Sequence, residues 1–123
     1  MEEKFEVLKG KVLTSIIGKK NDEEMIFVTS DGEKFKLFHD QDCCEFVSIE
    51  DIIGDLDDLL DSPIIEAEEA VGGEPVGWKR DEYEDSYTWT FYKLATAKGF
   101  VTIRWFGSSN GYYSEYVNFE RVR

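Results

Sequence analysis

The chain has almost nothing from which to build a metal centre or a disulfide scaffold: two cysteines, Cys43 and Cys44, and one histidine, His39, in 123 residues. Adjacent cysteines rarely bridge each other, so reduced thiols in a cytosol are expected. The stretch His39-Asp40-Gln41-Asp42-Cys43-Cys44-Glu45 holds every metal-ligand type, but no second group such as a Cys-x-x-Cys pair supplies the converging ligands that zinc needs. A polar loop with its thiols buried as small hydrophobes is the expectation. A catalytic Cys–His pair is disfavoured, because surrounding acids work against the thiolate. No metal and no cofactor is expected.

Long apolar runs are absent, so no helix is expected to cross a membrane. The opening Met1-Glu2-Glu3-Lys4 lacks the charged-then-apolar pattern of a signal sequence, which points to the cytoplasm. Phosphate-loop, nucleophile-elbow and His-Glu-x-x-His signatures are missing as well. Nothing marks the chain as an enzyme. Bases are scarce: 14 Lys and Arg against 27 Asp and Glu give a formal charge of -13. That disfavours a DNA or RNA binder, whose affinity comes from neutralising phosphates.

What is present suffices for a core. Hydrophobic residues make up 41% and aromatics 15%, and the length fits one domain over residues 1–123. Charge is uneven. Residues 86–123 carry five bases and two acids, whereas residues 1–85 carry nine bases and 25 acids. Thirteen of the 18 aromatics lie from Trp78 onward. A site for something flat and anionic belongs in the last third.

The first third reads as strands. Val7 to Lys19 is broken by Gly10 and ended by Gly18. Met25–Thr29 and Phe35–Phe38 flank the turn Ser30-Asp31-Gly32 and form a hairpin. Ser48 with Asp51 resembles a capping box, and Ile49, Ile52, Ile53, Leu56, Leu59 and Leu60 recur at helical spacing up to Ser62-Pro63. This predicts one amphipathic helix near residues 48–61, with Asp57, Asp58 and Asp61 at its unfavourable negative end. Ile64 to Val71 reads as a further strand and Gly72–Gly77 as a loop. The fold class is α+β, a largely antiparallel sheet made of an N-terminal hairpin and a C-terminal three-strand meander, with that one helix.

In the meander, a two-residue turn at Lys98-Gly99 sets Lys93 opposite Arg104 and Phe91 opposite Phe106. One face then carries Tyr92, Leu94, Val101, Ile103 and Trp105 and reads as core. A three-residue turn, Ser109-Asn110-Gly111, brings Val117 and Phe119 back onto the core face, opposite Ile103 and Val101, and adds Tyr116 and Asn118 to the other. That other face holds Tyr87, Trp89, Phe91, Lys93, Arg104 and Phe106. Aromatic rings offer stacking surfaces for bases, an arginine grips phosphate with paired hydrogen bonds, and Gly107–Gly111 adds hydroxyls, an amide and unhindered backbone N–H groups. A nucleotide with a pyrophosphate fits this chemistry. The same face also fits packing against the helix or a second subunit, with the cations paired by carboxylates.

The segments His39–Glu45, Trp89–Thr96 and Gly99–Gly111, read through Tyr112-Tyr113-Ser114, resemble the Thoeris anti-defence protein 1 family of small phage and prophage proteins, over the whole chain. The resemblance implies a non-catalytic sponge in the bacterial host's cytoplasm. Such a sponge sequesters cyclic ADP-ribose isomers, in some members also cyclic oligonucleotides, and so blocks Thoeris immunity. It also implies a homo-oligomer, a dimer or hexamer, with the ligand at a subunit interface. The family assigns no binding residue here position by position. On the face read above, Trp89, Phe91 and Phe106, with Tyr112 or Tyr113, would stack on adenine. Arg104, Lys93 and Arg121 would hold the pyrophosphate, and Ser108 and Asn110 would bond the riboses. The competing reading is an acidic inhibitor or DNA mimic aimed at a basic host nuclease, since residues 40–69 hold 12 acids and no base.

Overall fold

A computed structural model describes residues 2–73, 77, 86–111 and 113–122. Among the described residues eight strands run in chain order: β1 Leu13–Ile17, β2 Glu24–Thr29, β3 Lys34–Phe38, β4 Phe46–Ile53, β5 Glu66–Val71, β6 Ser86–Thr96, β7 Gly99–Ser109 and β8 Asn118–Val122. They form two four-stranded sheets, ordered β1-β2-β3-β8 and β4-β7-β6-β5, and every pairing is antiparallel. Phe27, Phe35, Leu37 and Phe119 from the first sheet and Ile49, Tyr92, Leu94, Ile103 and Trp105 from the second belong to one buried cluster. Two sheets sharing one core make an antiparallel sandwich. Phe5 is wedged between them, its ring 4.7 Å from Tyr92 on one side and 5.2 Å from Phe119 on the other.

The expected helix near residues 48–61 does not form, so the α+β expectation is corrected to a β architecture; among the described residues the helical elements are short 3-10 turns at Phe5–Leu8 and Leu56–Leu59. Residues 46–53 are strand β4. Val47 and Ile49 point into the core, and a bulge between Ile49 and Asp51 changes the phase so that Ile52 packs against it too. Gly54, at φ +108, then leaves the strand, and the 3-10 turn brings in Leu56 and Leu59. Strand, bulge and turn in succession thus reproduce a helical spacing. The β-branched Ile49, Ile52 and Ile53 favour the extended form. The turn is capped by Asp55, whose carboxylate accepts the Asp57 N–H at 3.0 Å. Asp57 and Asp58 therefore stand in its first turn, the electrostatically favourable end.

The N-terminal hairpin is present as read, with Phe27 opposite Phe35 in β2 and β3. Of Val7–Lys19 only Leu13–Ile17 is strand, and Ile64–Val71 contributes Glu66–Val71. Strands β6 and β7 pair along their whole length with the expected core face inward, but the two-residue turn is Ala97-Lys98, not Lys98-Gly99. Thr96 fixes it. Its hydroxyl donates to the Asp58 carbonyl and accepts the Lys98 N–H at 3.1 Å. Gly99 serves close approach rather than turning, since a Cβ there would lie 2.9 Å from the movable Asp58 carboxylate. Lys93 consequently faces Thr102 and Glu68, and Arg104 faces Phe91 and Asp51. The like-charge pair Lys93–Arg104 does not occur.

The meander is also corrected. After Ser109 the chain crosses to the first sheet, where β8 pairs with β3, because β4 already occupies the second edge of β7. Phe119 is core as expected, but Asn118 lies on the first sheet. The crossing segment is anchored by Glu115, which is buried. Its carboxylate accepts from the hydroxyls of Thr88, at 2.8 Å, and Ser109, at 2.5 Å. Gly107 leaves room for it, since a Cβ there would lie 2.8 Å from the Glu115 carbonyl oxygen.

Candidate functional site

The alternation of β6 and β7 that sends Tyr92, Leu94, Val101, Ile103 and Trp105 inward sends Trp89, Phe91, Lys93, Arg104, Phe106 and Ser108 to the outer face of the second sheet. Across the strands this face reads in rows: Phe46, Ser108 and Tyr87; then Ser48, Phe106 and Trp89; then Asp51, Arg104, Phe91 and Ala70; then Ile53, Thr102, Lys93 and Glu68. Trp89 is only 3% exposed, so it is a floor rather than an open stacking surface. Phe106 lies against it with ring centroids 4.6 Å apart. The Arg104 guanidinium sits over the same indole, 5.6 Å from the ring centroid, within cation–π range.

Arg104 is also held by carboxylates. Its Nε donates to Glu50 Oε2 at 2.5 Å, and its Nη2 is 3.5 Å from Asp51 Oδ2. Glu50 and Asp51 are consecutive and would face opposite sides of a regular strand. The bulge after Ile49 lets both reach one guanidinium, which is the re-aiming that bulges achieve beside sites. Lys93 is exposed, and Phe91, Phe106 and Ser108 are half-buried.

The remaining expected site residues lie elsewhere. Asn110 is exposed beyond the end of β7, and Tyr113 lies in the crossing segment. Arg121 belongs to β8 in the first sheet, where its Nη2 is 3.0 Å from Glu33 Oε2; it cannot join Arg104 on one face. Tyr112 lies outside the described residues. Reading 48–61 as a helix concealed the whole β4 contribution, Phe46, Ser48, Glu50 and Asp51. The alternation Phe46-Val47-Ser48-Ile49 was the available signal, and Phe46 is 58% exposed beside the aromatic rows.

A family model described as a domain of unknown function, DUF7448, matches residues 6–119. The chain belongs to this family. No curated protein and no solved structure matches it.

In this DUF7448 chain the His39–Glu45 stretch is a loop built on one carboxylate. Glu45 accepts from Gln41 Nε2, Asp42 N and Cys43 N at 3.1, 2.9 and 2.8 Å. His39 Nε2 lies 2.7 Å from Glu45 Oε2, and His39 Nδ1 lies 2.7 Å from the Tyr116 carbonyl. Burial works against the Glu45 carboxylate, but His39 and the backbone N–H groups outweigh it and hold the group down to about 2. A small cavity of about 190 Å³ is lined by Glu23, His39, Gln41, Glu45 and Val47. Its histidine and buried carboxylate are both committed to these bonds. The cysteines depart from expectation: both are exposed, and they are joined by a disulfide. Among the described residues no group of three or more metal-ligating side chains converges, and no helix is long and apolar enough to cross a membrane.

Proposed function

We propose that this protein is a non-catalytic binding protein that sequesters a cyclic nucleotide signal of the cyclic ADP-ribose type, acting as an anti-defence sponge against Thoeris-type immunity. The observation that carries the reading is Arg104, seated on the Trp89–Phe106 aromatic floor and oriented by Glu50 and Asp51 on the outer face of the second sheet. A ring stacked on Phe106 would place a phosphate toward Arg104, about 7 Å further along the strand. Glu50, Asp51, Ser48 and Ser108 would accept from or donate to ribose hydroxyls. The resemblance of His39–Glu45, Trp89–Thr96 and Gly99–Gly111 to the sponge family supports the same ligand class. The acid-rich segment offers less to the rival DNA-mimic reading, because its charges do not form one stripe. Glu45 is buried, Glu50 and Asp51 meet Arg104, and Glu69 accepts from the Tyr92 hydroxyl at 2.7 Å.

Titration calorimetry with a cyclic ADP-ribose isomer, followed by heat denaturation and analysis of the released nucleotide, tests the proposal. Sequestration requires submicromolar affinity, about -8 kcal/mol or better, with the ligand recovered intact. Arg104→Ala is expected to weaken binding at least tenfold while the chain stays folded. Unchanged affinity would remove Arg104 from the site, absence of heat with any cyclic nucleotide would end the proposal, and recovery of a cleaved product would replace it with an enzyme.

A further inference from the structure

Cys43 and Cys44 belong neither to the core nor to the outer face of the second sheet. Both are exposed, in the loop that carries the chain from β3 of the first sheet to β4 of the second, and they are joined to each other. A disulfide stabilises a fold mainly by closing a long loop of the unfolded chain. A bond between sequence neighbours encloses no residue, so it does little as a staple. Exposed disulfides are the labile ones, open to attack by an outside thiol. In a reducing compartment such bonds are transient and redox-sensing.

What this bond restrains is local. The backbone it bridges also serves the buried Glu45 carboxylate: the Cys43 N–H donates to Oε1 at 2.8 Å and the Asp42 N–H to Oε2 at 2.9 Å. Gln41 Nε2 donates to the Cys43 carbonyl at 3.2 Å and to the Glu45 carbonyl at 2.7 Å, closing the loop on itself. The exposed sulfurs are thus carried by the same few residues whose N–H groups hold the carboxylate inside. Asp40, Asp42 and Glu45 flank the pair, and residues 40–69 contain no Lys or Arg. Acidic surroundings disfavour a thiolate, so the pair is suited to being attacked rather than to attacking.

We propose that Cys43–Cys44 is a redox-active site that accepts two electrons from a dithiol, and that its state sets how firmly the Asp42 and Cys43 N–H groups hold Glu45. One thiolate of the reductant attacks a protein sulfur, and the Cys43–Cys44 bond breaks. The reductant's second thiolate then displaces the protein sulfur of the mixed disulfide. Each released protein sulfur takes up one of the two protons that the reductant gives up, which leaves two protein thiols and a cyclic disulfide of the reductant. A monothiol has no second sulfur to finish the exchange, and the neighbouring cysteine reverses its mixed disulfide. This proposal does not rest on the ligand reading.

Amide hydrogen exchange of the full chain, oxidised with diamide and then reduced with dithiothreitol, tests it. Iodoacetamide is expected to alkylate neither cysteine of the oxidised chain and both of the reduced one. On reduction, exchange at Asp42 and Cys43 should speed at least about tenfold while β6 and β7 stay unchanged. Cys43→Ser with Cys44→Ser, both at exposed positions, should fold as judged by circular dichroism, exchange like the reduced chain and ignore dithiothreitol. Four results would each overturn the proposal: thiols that stay free in diamide, equal exchange in both states, reduction by glutathione as complete as by dithiothreitol at equal thiol concentration, or protection lost evenly across the fold. The last would make the bond a structural staple.

Discussion

Gly54 and Gly99 show how differently two glycines can be constrained. Gly54 sits at φ +108, and a Cβ on it would lie 2.5 Å from the Phe100 carbonyl oxygen, an atom fixed by the sheet. Gly54→Ala combines left-handed strain of about 1–3 kcal/mol with a backbone clash. It is expected to lower unfolding free energy in urea by about 2 kcal/mol or more. Gly99 has ordinary backbone angles, and its Cβ would meet only the movable end of Asp58. Gly99→Ala is therefore expected to cost less than about 1 kcal/mol. A reversed order would show that the β4 exit relaxes and the Ala97-Lys98 turn does not. In the sequence Gly99 reads as a turn glycine and Gly54 falls inside the expected helix, because the close approach that distinguishes them comes from residues far along the chain.

At the scale of elements, β4 decides both the fold and the candidate site. Its pairing with β7 runs in one register from Phe46–Ser108 to Ile49–Trp105 and resumes at Asp51–Arg104 after one extra residue. Deleting Glu50 should leave Ile49, Ile52 and Ile53 on the sides they already occupy. The chain is expected to fold with a change of about 1 kcal/mol or less, as for an exposed pair. The deletion should still weaken ligand binding, because Arg104 loses one of the two carboxylates that orient it. Loss of the fold would show that the bulge serves strand geometry instead. The bulge is also why the strand was misread: the extra residue and the following 3-10 turn put apolar side chains at helical intervals. Strands β2, β3, β6 and β7 have no such insertion, so all four are legible as strands, and in β6 and β7 alternation also identifies the inward face.

At the scale of the whole molecule, the two sheets are tied by a buried polar link. His39 follows β3, Glu45 precedes β4, and Tyr116 precedes β8, so one imidazole joins the first sheet to the approaches of two other strands. Glu45 is held down to about 2 from an ordinary 4.5, against the opposing effect of burial. A folded value below the unfolded one gives stability that is present above about 4.5 and lost as pH falls through about 2. The wild-type urea midpoint is therefore expected to be level near neutrality and to fall across that window. Glu45→Gln should lower the midpoint at neutral pH and flatten the fall, the two proteins converging toward pH 2. Asp31, lowered by the Thr29 hydroxyl, adds a slope of the same sign that the variant keeps. Parallel curves at all pH values would show that Glu45 is not the group responsible.

The order of apolar and polar residues determined by itself that the chain is rich in antiparallel strand, that β2 and β3 form a hairpin, and that Tyr92, Leu94, Val101, Ile103 and Trp105 face the core. These follow from the two-residue period of a strand, which is local. Only the tertiary structure decided which strand lies beside which. Alternation fixes the face a residue presents but not the neighbour across the ladder, so β8 could be read as the partner of β7 until β4 was found on that edge. The candidate site followed the same division. Trp89, Arg104 and Phe106 were legible because they share one face of a hairpin, whereas Phe46, Ser48, Glu50 and Asp51 joined them, and Arg121 left them, through pairings that no local pattern records.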